Sequence, residues 1–184
     1  MASRARKLTK LPSTNEQDGT VNVVIETSRG ARTKLTFDPG NGRFTVKKIL
    51  PVGMSFPFDF GFIPSTRGGD GDPLDVLLLV DEPVPTGVLV PSRLIGVIEA
   101  MQTERDGSTE KNDRLIGVAE ATELFKDVKS LDDLPSSVIE QIEHFFISYN
   151  AQANKQFEST GRGNGKRAHA LLREAHKRFT RRRK

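Results

Sequence analysis

The chain is 184 residues long, contains no cysteine and carries a formal net charge of +4, with 35% hydrophobic and 28% charged residues. That length supports one domain with a substantial core. The absence of cysteine excludes disulfides and zinc–thiolate sites and fits a cytoplasmic setting. No stretch approaches the roughly 18 apolar residues of a membrane span, and the basic start, Met1–Lys7, has no apolar segment behind it to make a secretory signal.

The charge is unevenly spread. Residues 1–10 hold four basic residues and no acid, and residues 166–184 hold nine basic residues and one acid, Glu174. The body between them is acidic, with 15 basic against 23 acidic residues, so the chain as a whole does not read as a nucleic-acid binder. The run Lys177–Lys184 reads as a solvated end; the alternative is a weak, salt-sensitive contact with nucleic acid.

Residues 1–20 read as a flexible arm. Val21–Glu26 makes a first strand, and the alternating Lys34–Asp38 is expected to pair with it, turning at Pro39–Gly42. Phe44–Leu50 is the next strand, with Thr45, Lys47 and Ile49 opposed to Phe44, Val46 and Lys48. Phe56–Phe62 is a dense aromatic patch that ends at Pro64, and its phenylalanines at 56, 58, 60 and 62 read as core rather than as a ligand platform. Val76–Val80 is an unbroken apolar run and reads as a buried strand, and Leu89–Met101 and Asp113–Ala119 supply further strands. Short strands with turn signals at this spacing predict a closed or partly closed β-barrel.

After Ala121 the period becomes helical. Asp132–Ser137 opens a helix, with Ser137 and Glu140 placed for a capping box. Val138, Ile142, Phe145 and Tyr149 share one face, joined by Ile139 and Phe146. Ser159–Gly165 reads as a flexible connector, and a last helix is striped by Ala168, Leu171, Leu172, Ala175 and Phe179. The fold class is therefore α+β, mainly β. An arm (1–20) precedes a barrel with its first helix (21–158), and a connector and basic helix (159–184) follow.

One motif dominates. Asp70-Gly71-Asp72-Pro73-Leu74-Asp75 places three carboxylates at the mouth of the Val76 strand, with a Gly and a Pro setting the turn. Like charges so close repel unless a cation sits among them, and Mg²⁺ takes one or two carboxylates plus waters and phosphate oxygens. A solvated acidic turn is the alternative; the Pro and the core strand behind it favour the cation.

The motif closely resembles the signature of the family I soluble inorganic pyrophosphatases. Val24–Glu26, Lys34, Pro57-x-x-x-Gly61-x-Ile63-Pro64 and His144-Phe145-Phe146-x-x-Tyr149 follow in the family's order and at about its spacing. The resemblance covers residues 21–157. It implies an OB-like five-stranded barrel flanked by two C-terminal helices, hydrolysis of inorganic pyrophosphate with Mg²⁺ (Mn²⁺ or another divalent cation as substitutes), no membrane and a homo-oligomer, usually a hexamer in bacteria. By the same resemblance Asp70 and Asp75 are metal ligands, with Asp75 bridging, Glu26 holds a further metal carried by the substrate, and Asp72 accepts the proton of the attacking water or orients that water. Lys34, Lys48, Arg114 and Tyr149 bind phosphate oxygens.

Read without the resemblance, Glu26 is a strand-end carboxylate, Lys34 a surface lysine and Tyr149, the single tyrosine, part of an apolar helix face. His144 reads as structural, and His169 and His176 show no metal pairing.

The chain also departs from the family. Lys48 stands where an arginine is expected and Arg114 where a lysine is. Phe56 and Phe60 replace two tyrosines, Asn150 a lysine and Thr36 a glutamate. Gln102 and Asn112 replace two aspartate ligands. An amide oxygen can still ligate a hard cation, so Asn112 is retained as a ligand, while a shifted register would bring in Glu104, Asp106, Glu110 or Asp113. Two functional readings follow: a Mg²⁺-dependent pyrophosphatase, and a catalytically weak or inactive relative that binds metal, phosphate or a regulatory partner.

Overall fold

A computed structural model describes residues 5–181. Among them the chain forms nine strands and two α-helices: β1 (Val21–Thr27), β2 (Thr33–Asp38), β3 (Arg43–Ile49), β4 (Asp59–Ile63), β5 (Leu74–Leu79), β6 (Leu89–Thr103), β7 (Thr109–Lys111), β8 (Arg114–Ala119), α1 (Ser136–Ala151), β9 (Gln156–Asn164) and α2 (Gly165–Arg181). Five of the strands close on themselves in the order β1-β4-β5-β8-β6, with β6 returning to β1, which is the expected OB-like α+β arrangement. The β5–β8 pair is parallel and the other pairs in the ring are antiparallel. No helix among the described residues is long and apolar enough to cross a membrane.

The apolar run of β5 is unbroken because both of its faces are buried. Leu77 and Leu79 join a cluster with Ile95, Ile98 and Ile116, over which α1 lays Ile139, Ile142, Phe145 and Phe146. Val76 and Leu78 point the other way, into a cluster with Val23, Ile25, Val97 and Leu115 that α2 covers with Ala168 and Leu172. The helical face read from the sequence is thus the one that packs.

Four sequence expectations are corrected. First, β2 does not pair with β1; it forms a separate two-stranded hairpin with β3. Second, α1 begins at Ser136 with Pro135 at its N-cap and no side-chain cap, so Ser137 and Glu140 form no capping box. The capping carboxylate sits one turn earlier, where Asp133 accepts hydrogen bonds from the Lys129 and Ser130 backbone N–H groups.

Third, the Ser159–Gly165 stretch is not a flexible connector. Residues 156–164 form β9, in antiparallel register with β6 from Gly96↔Asn164 to Thr103↔Gln156. Its Gly163 serves close packing, since a Cβ there would come within 2.8 Å of Val97 Cγ1 and 2.7 Å of Arg167 Cγ.

Fourth, the N-terminal segment is tied down rather than a loose arm. The Ser65 N–H donates to the Thr9 carbonyl, the Asn22 N–H donates to the Ser13 carbonyl, and Leu8 and Leu11 pack beside Val24, Phe37 and Phe62. Residues 1–4 of that arm, and Arg182, Arg183 and Lys184 of the basic tail, lie outside the described residues.

Candidate active site

Two cavities meet at Asp75 and Arg114. The first, of about 290 Å³, is lined among others by Glu26, Lys34, Lys47, Asp72 and Tyr149; the second, of about 230 Å³, by Asp70, Lys111 and Asn112. The parallel register of β5 and β8 pairs Val76 with Leu115 and so brings Asp75 and Arg114 side by side. Arg114 Nη1 lies 2.7 Å from Asp75 Oδ2.

The acidic loop is built by local bonds. The Gly68 N–H donates to the Asp72 carbonyl at 2.6 Å, and the Asp72 N–H donates to Asp70 Oδ1 at 3.0 Å. Gly71 has a φ of +93°, a conformation that residues with a Cβ rarely adopt. At the loop's exit the Leu74 N–H donates to the Thr66 hydroxyl. Partial burial pushes the Asp70 carboxyl above its ordinary value against the hydrogen bond from Asp72, and the charges of Asp75, Asp72 and Glu110 raise it further. The carboxylates therefore sense one another, as a cation site requires. Among the described residues no group of three or more His, Cys, Asp or Glu converges tightly enough to hold a metal by itself. The donor chemistry fits a hard divalent ion held by one or two of these carboxylates, with water and substrate oxygens completing its shell.

Beneath the first cavity lies an ionic floor. Glu26 is 6% exposed and Lys34 8%. Lys34 Nζ donates to Glu26 Oε2 at 3.2 Å, and the Phe37 N–H donates to Glu26 Oε1 at 2.7 Å. Lys34 Nζ also sits 3.7 Å from the centre of the Phe60 ring, a cation–π contact. Burial pushes the Glu26 carboxyl up and the Lys34 ammonium down, while the attraction between the two opposes both shifts. Tyr149 is pushed up by burial as well.

Behind the second cavity the amides at 102 and 112 are hydrogen-bonded in a row. The Arg114 guanidinium donates through Nη1 to Asn112 Oδ1. Asn112 Nδ2 donates to Gln102 Oε1 at 2.8 Å, and Gln102 Nε2 donates to Glu104 Oε1 at 2.6 Å. Lys155 Nζ pairs with Glu104 Oε2 at 2.6 Å. Asp113, which a shifted register would have made a ligand, instead accepts the Ala100 N–H, and Asp106 is turned onto Ser108.

The two cavities gather Asp70, Asp72, Asp75, Glu26, Asn112, Lys34, Arg114 and Tyr149, all expected from the sequence. Lys48 is displaced from the lining: its Nζ donates to the Tyr149 carbonyl at 3.0 Å and lies 4.5 Å from the centre of that ring. Lys47 takes its place, a residue the sequence reading passed over. The cause is a bulge: Lys34 pairs with Lys48 but Leu35 pairs with Val46, which leaves Lys47 as the extra residue and breaks the simple alternation. Glu104 and Lys155 also escaped notice as a pair, because the contact spans 51 positions. Phe56 and Phe60 are core as expected, but Phe60 is also the ring under Lys34.

Known proteins resemble this chain in sequence and in fold. The family model described as inorganic pyrophosphatase matches residues 23–180. The inorganic pyrophosphatase of Thermus thermophilus is 36% identical over 149 residues, covering 81% of this chain and 82% of that protein. That of a Nostoc species is 30% identical over 154 residues, covering 84% and 88%. A crystal structure of an inorganic pyrophosphatase from Thermus thermophilus superposes with a TM-score of 0.83 at 32% identity, over 92% of this chain and 97% of that one. One from Neisseria gonorrhoeae gives 0.82 at 30% identity, over 94% and 98%. Agreement in sequence, in fold and over nearly the full length of those chains leaves one assignment: the chain belongs to the inorganic pyrophosphatase family.

Proposed function

We propose that this chain hydrolyses inorganic pyrophosphate to two phosphates with the help of a divalent cation, Mg²⁺ first, and that the reaction takes place where the two cavities meet. The observation that carries this reading is the juxtaposition of the Asp70–Asp75 carboxylates with cations fixed by the fold, Lys34 and Arg114 above all. Pyrophosphate is a compact polyanion, and its cleavage depends on charge neutralisation and positioning more than on covalent chemistry. Asp70 and Asp75 would hold the cation, and Glu26 one that enters with the substrate. A divalent cation bound there lowers the pKa of a water and screens the substrate's charge.

The chain's own groups do the rest. Lys34, Arg114 and Tyr149 bind phosphate oxygens, with Lys47 in the place expected of Lys48. Water attacks one phosphorus and its proton passes to Asp72. The bond from that phosphorus to the bridging oxygen breaks, and the second phosphate leaves with the electron pair. The reading further includes a cytoplasmic setting and a homo-oligomer, a hexamer by resemblance. Val46, Ile49 and Val52 are 62%, 64% and 88% exposed, an apolar surface that self-association would cover. A monomer mass by light scattering would remove the oligomer from the proposal.

The test of the activity is phosphate release from pyrophosphate with Mg²⁺, with an EDTA control and the Asp72→Asn variant. Release is expected to vanish with EDTA and to fall by about 10²–10⁴-fold in the variant, the usual contribution of a positioned proton acceptor. Purified protein that binds pyrophosphate yet releases nothing with Mg²⁺, Mn²⁺, Zn²⁺ or Co²⁺ would establish the catalytically inactive reading instead.

A further inference from the structure

The hydrogen bonds from Arg114 to Glu104 all run in one direction. The guanidinium donates to Asn112, Asn112 to Gln102, and Gln102 to the Glu104 carboxylate, which Lys155 neutralises. An amide can both accept from a cation on one side and donate toward an anion on the other, which an aspartate carboxylate cannot. Each dipole in such a row polarises the next, which holds the cationic end in place. Gln102 and Arg114 are each 5% exposed, so the row is shielded from water over much of its length. Both amide oxygens, the atoms that would ligate a metal, already accept a hydrogen bond from a protein donor.

Arg114 itself faces both cavities. Its Nη1 is held by Asp75 and Asn112, and its ring-side contact is Phe146, 4.9 Å from the guanidinium carbon. Its Nε is buried and has no hydrogen-bond partner among the described residues. Among the described residues only Nη1 of its two terminal nitrogens is committed, so the guanidinium keeps donor capacity on Nη2 that a phosphate oxygen in the cavities can take up.

We propose that Asn112 and Gln102 are positioning residues rather than metal ligands: they lock Arg114 against Asp75 as a permanent cation that holds a phosphate group without a metal. The proposal rests on the pyrophosphatase reading and adds to it which part of the charge neutralisation is built into the chain. It predicts that phosphate affinity measured in EDTA depends on two amides that do not themselves touch the phosphate.

The experiment is calorimetry on the full chain, with inorganic phosphate in EDTA and separately with Mn²⁺ alone. Wild type is compared with Gln102→Met, which keeps the bulk and removes the donor and acceptor, and with Asn112→Ser as a smaller polar variant should the first fail to fold. Phosphate affinity is expected to drop by about 10-fold, the scale of one net hydrogen bond, while the number of Mn²⁺ ions bound stays the same. In turnover the KM for pyrophosphate should rise by a similar factor, with kcat changed far less. Loss of a bound Mn²⁺ in either variant would show that the amides are ligands and overturn the proposal. So would unchanged phosphate affinity, or a wild type that hydrolyses pyrophosphate but binds no phosphate in EDTA. A wild type that does not hydrolyse pyrophosphate at all would instead remove the reading beneath it.

Discussion

The rim and the floor of this site carry charge in opposite ways. On the rim, Asp70 and Asp72 sit on a turn held by its own backbone, and Asp70 feels the repulsion of its neighbours. On the floor, Glu26 and Lys34 are buried against one another, and Arg114 is matched by Asp75 and an amide row. A buried charge must be paired as the chain folds, because an unpaired one is too costly to desolvate. An exposed cluster can stay unmatched in water until a ligand arrives. The floor is therefore a fixed template of charge, and the rim is a cluster of like charge that the described residues leave without a cation of its own.

That contrast can be tested through stability. The largest effect is expected from Lys34→Met, which strands Glu26 in the floor; removing one partner of a buried pair costs about 3–5 kcal/mol. Urea unfolding reads it directly, and a loss below about 1 kcal/mol, the range of surface pairs, would show that water reaches the pair.

A smaller effect is a slope against pH. Burial raises the Glu26 carboxyl above its ordinary value of 4.5. Between that value and the raised one the native protein binds more protons than the unfolded chain, so this group's contribution to stability falls as pH rises. Lys34 is lowered and gives the opposite slope, but at the alkaline end. Glu26→Gln should flatten the acidic part of the stability profile, as urea midpoints at successive pH values would record; an unchanged profile would refute the shift. The smallest effect belongs to the rim. Asp70→Asn keeps an oxygen for the Asp72 N–H and relieves repulsion, so stability should stay within about 0.5 kcal/mol of wild type. A larger loss would mean that the rim, too, is structurally paired.

Legibility in the sequence followed the range of the interactions. The acidic turn was readable because its spacing, its Gly and its Pro lie within a few residues of the strand they serve. Lys47 was not, because a single bulge opposite Lys34 overrode the alternation that strand reading assumes. The glycines of β9 were read as slack, although Gly163 is there to let Val97 and Arg167 approach. The hydrogen-bonded row from Asn112 through Gln102 was not readable either, since nothing near them in the chain announces Glu104 and Lys155 as its end.

By itself the sequence determined the α+β class, the buried strand behind the acidic motif, the packing face of α1 and the identity of most groups around the site. Those features depend on local periodicity and on residue types whose chemistry is the same in any fold. Only the tertiary structure decided that β2 pairs with β3, that residues 156–164 complete the sheet on β6, and that the N-terminal segment is bound to the body. It also decided which polar groups spend their hydrogen bonds on one another and which remain for a ligand. Those outcomes depend on register and burial across distant parts of the chain, where a shift of one residue turns a side chain to the other face.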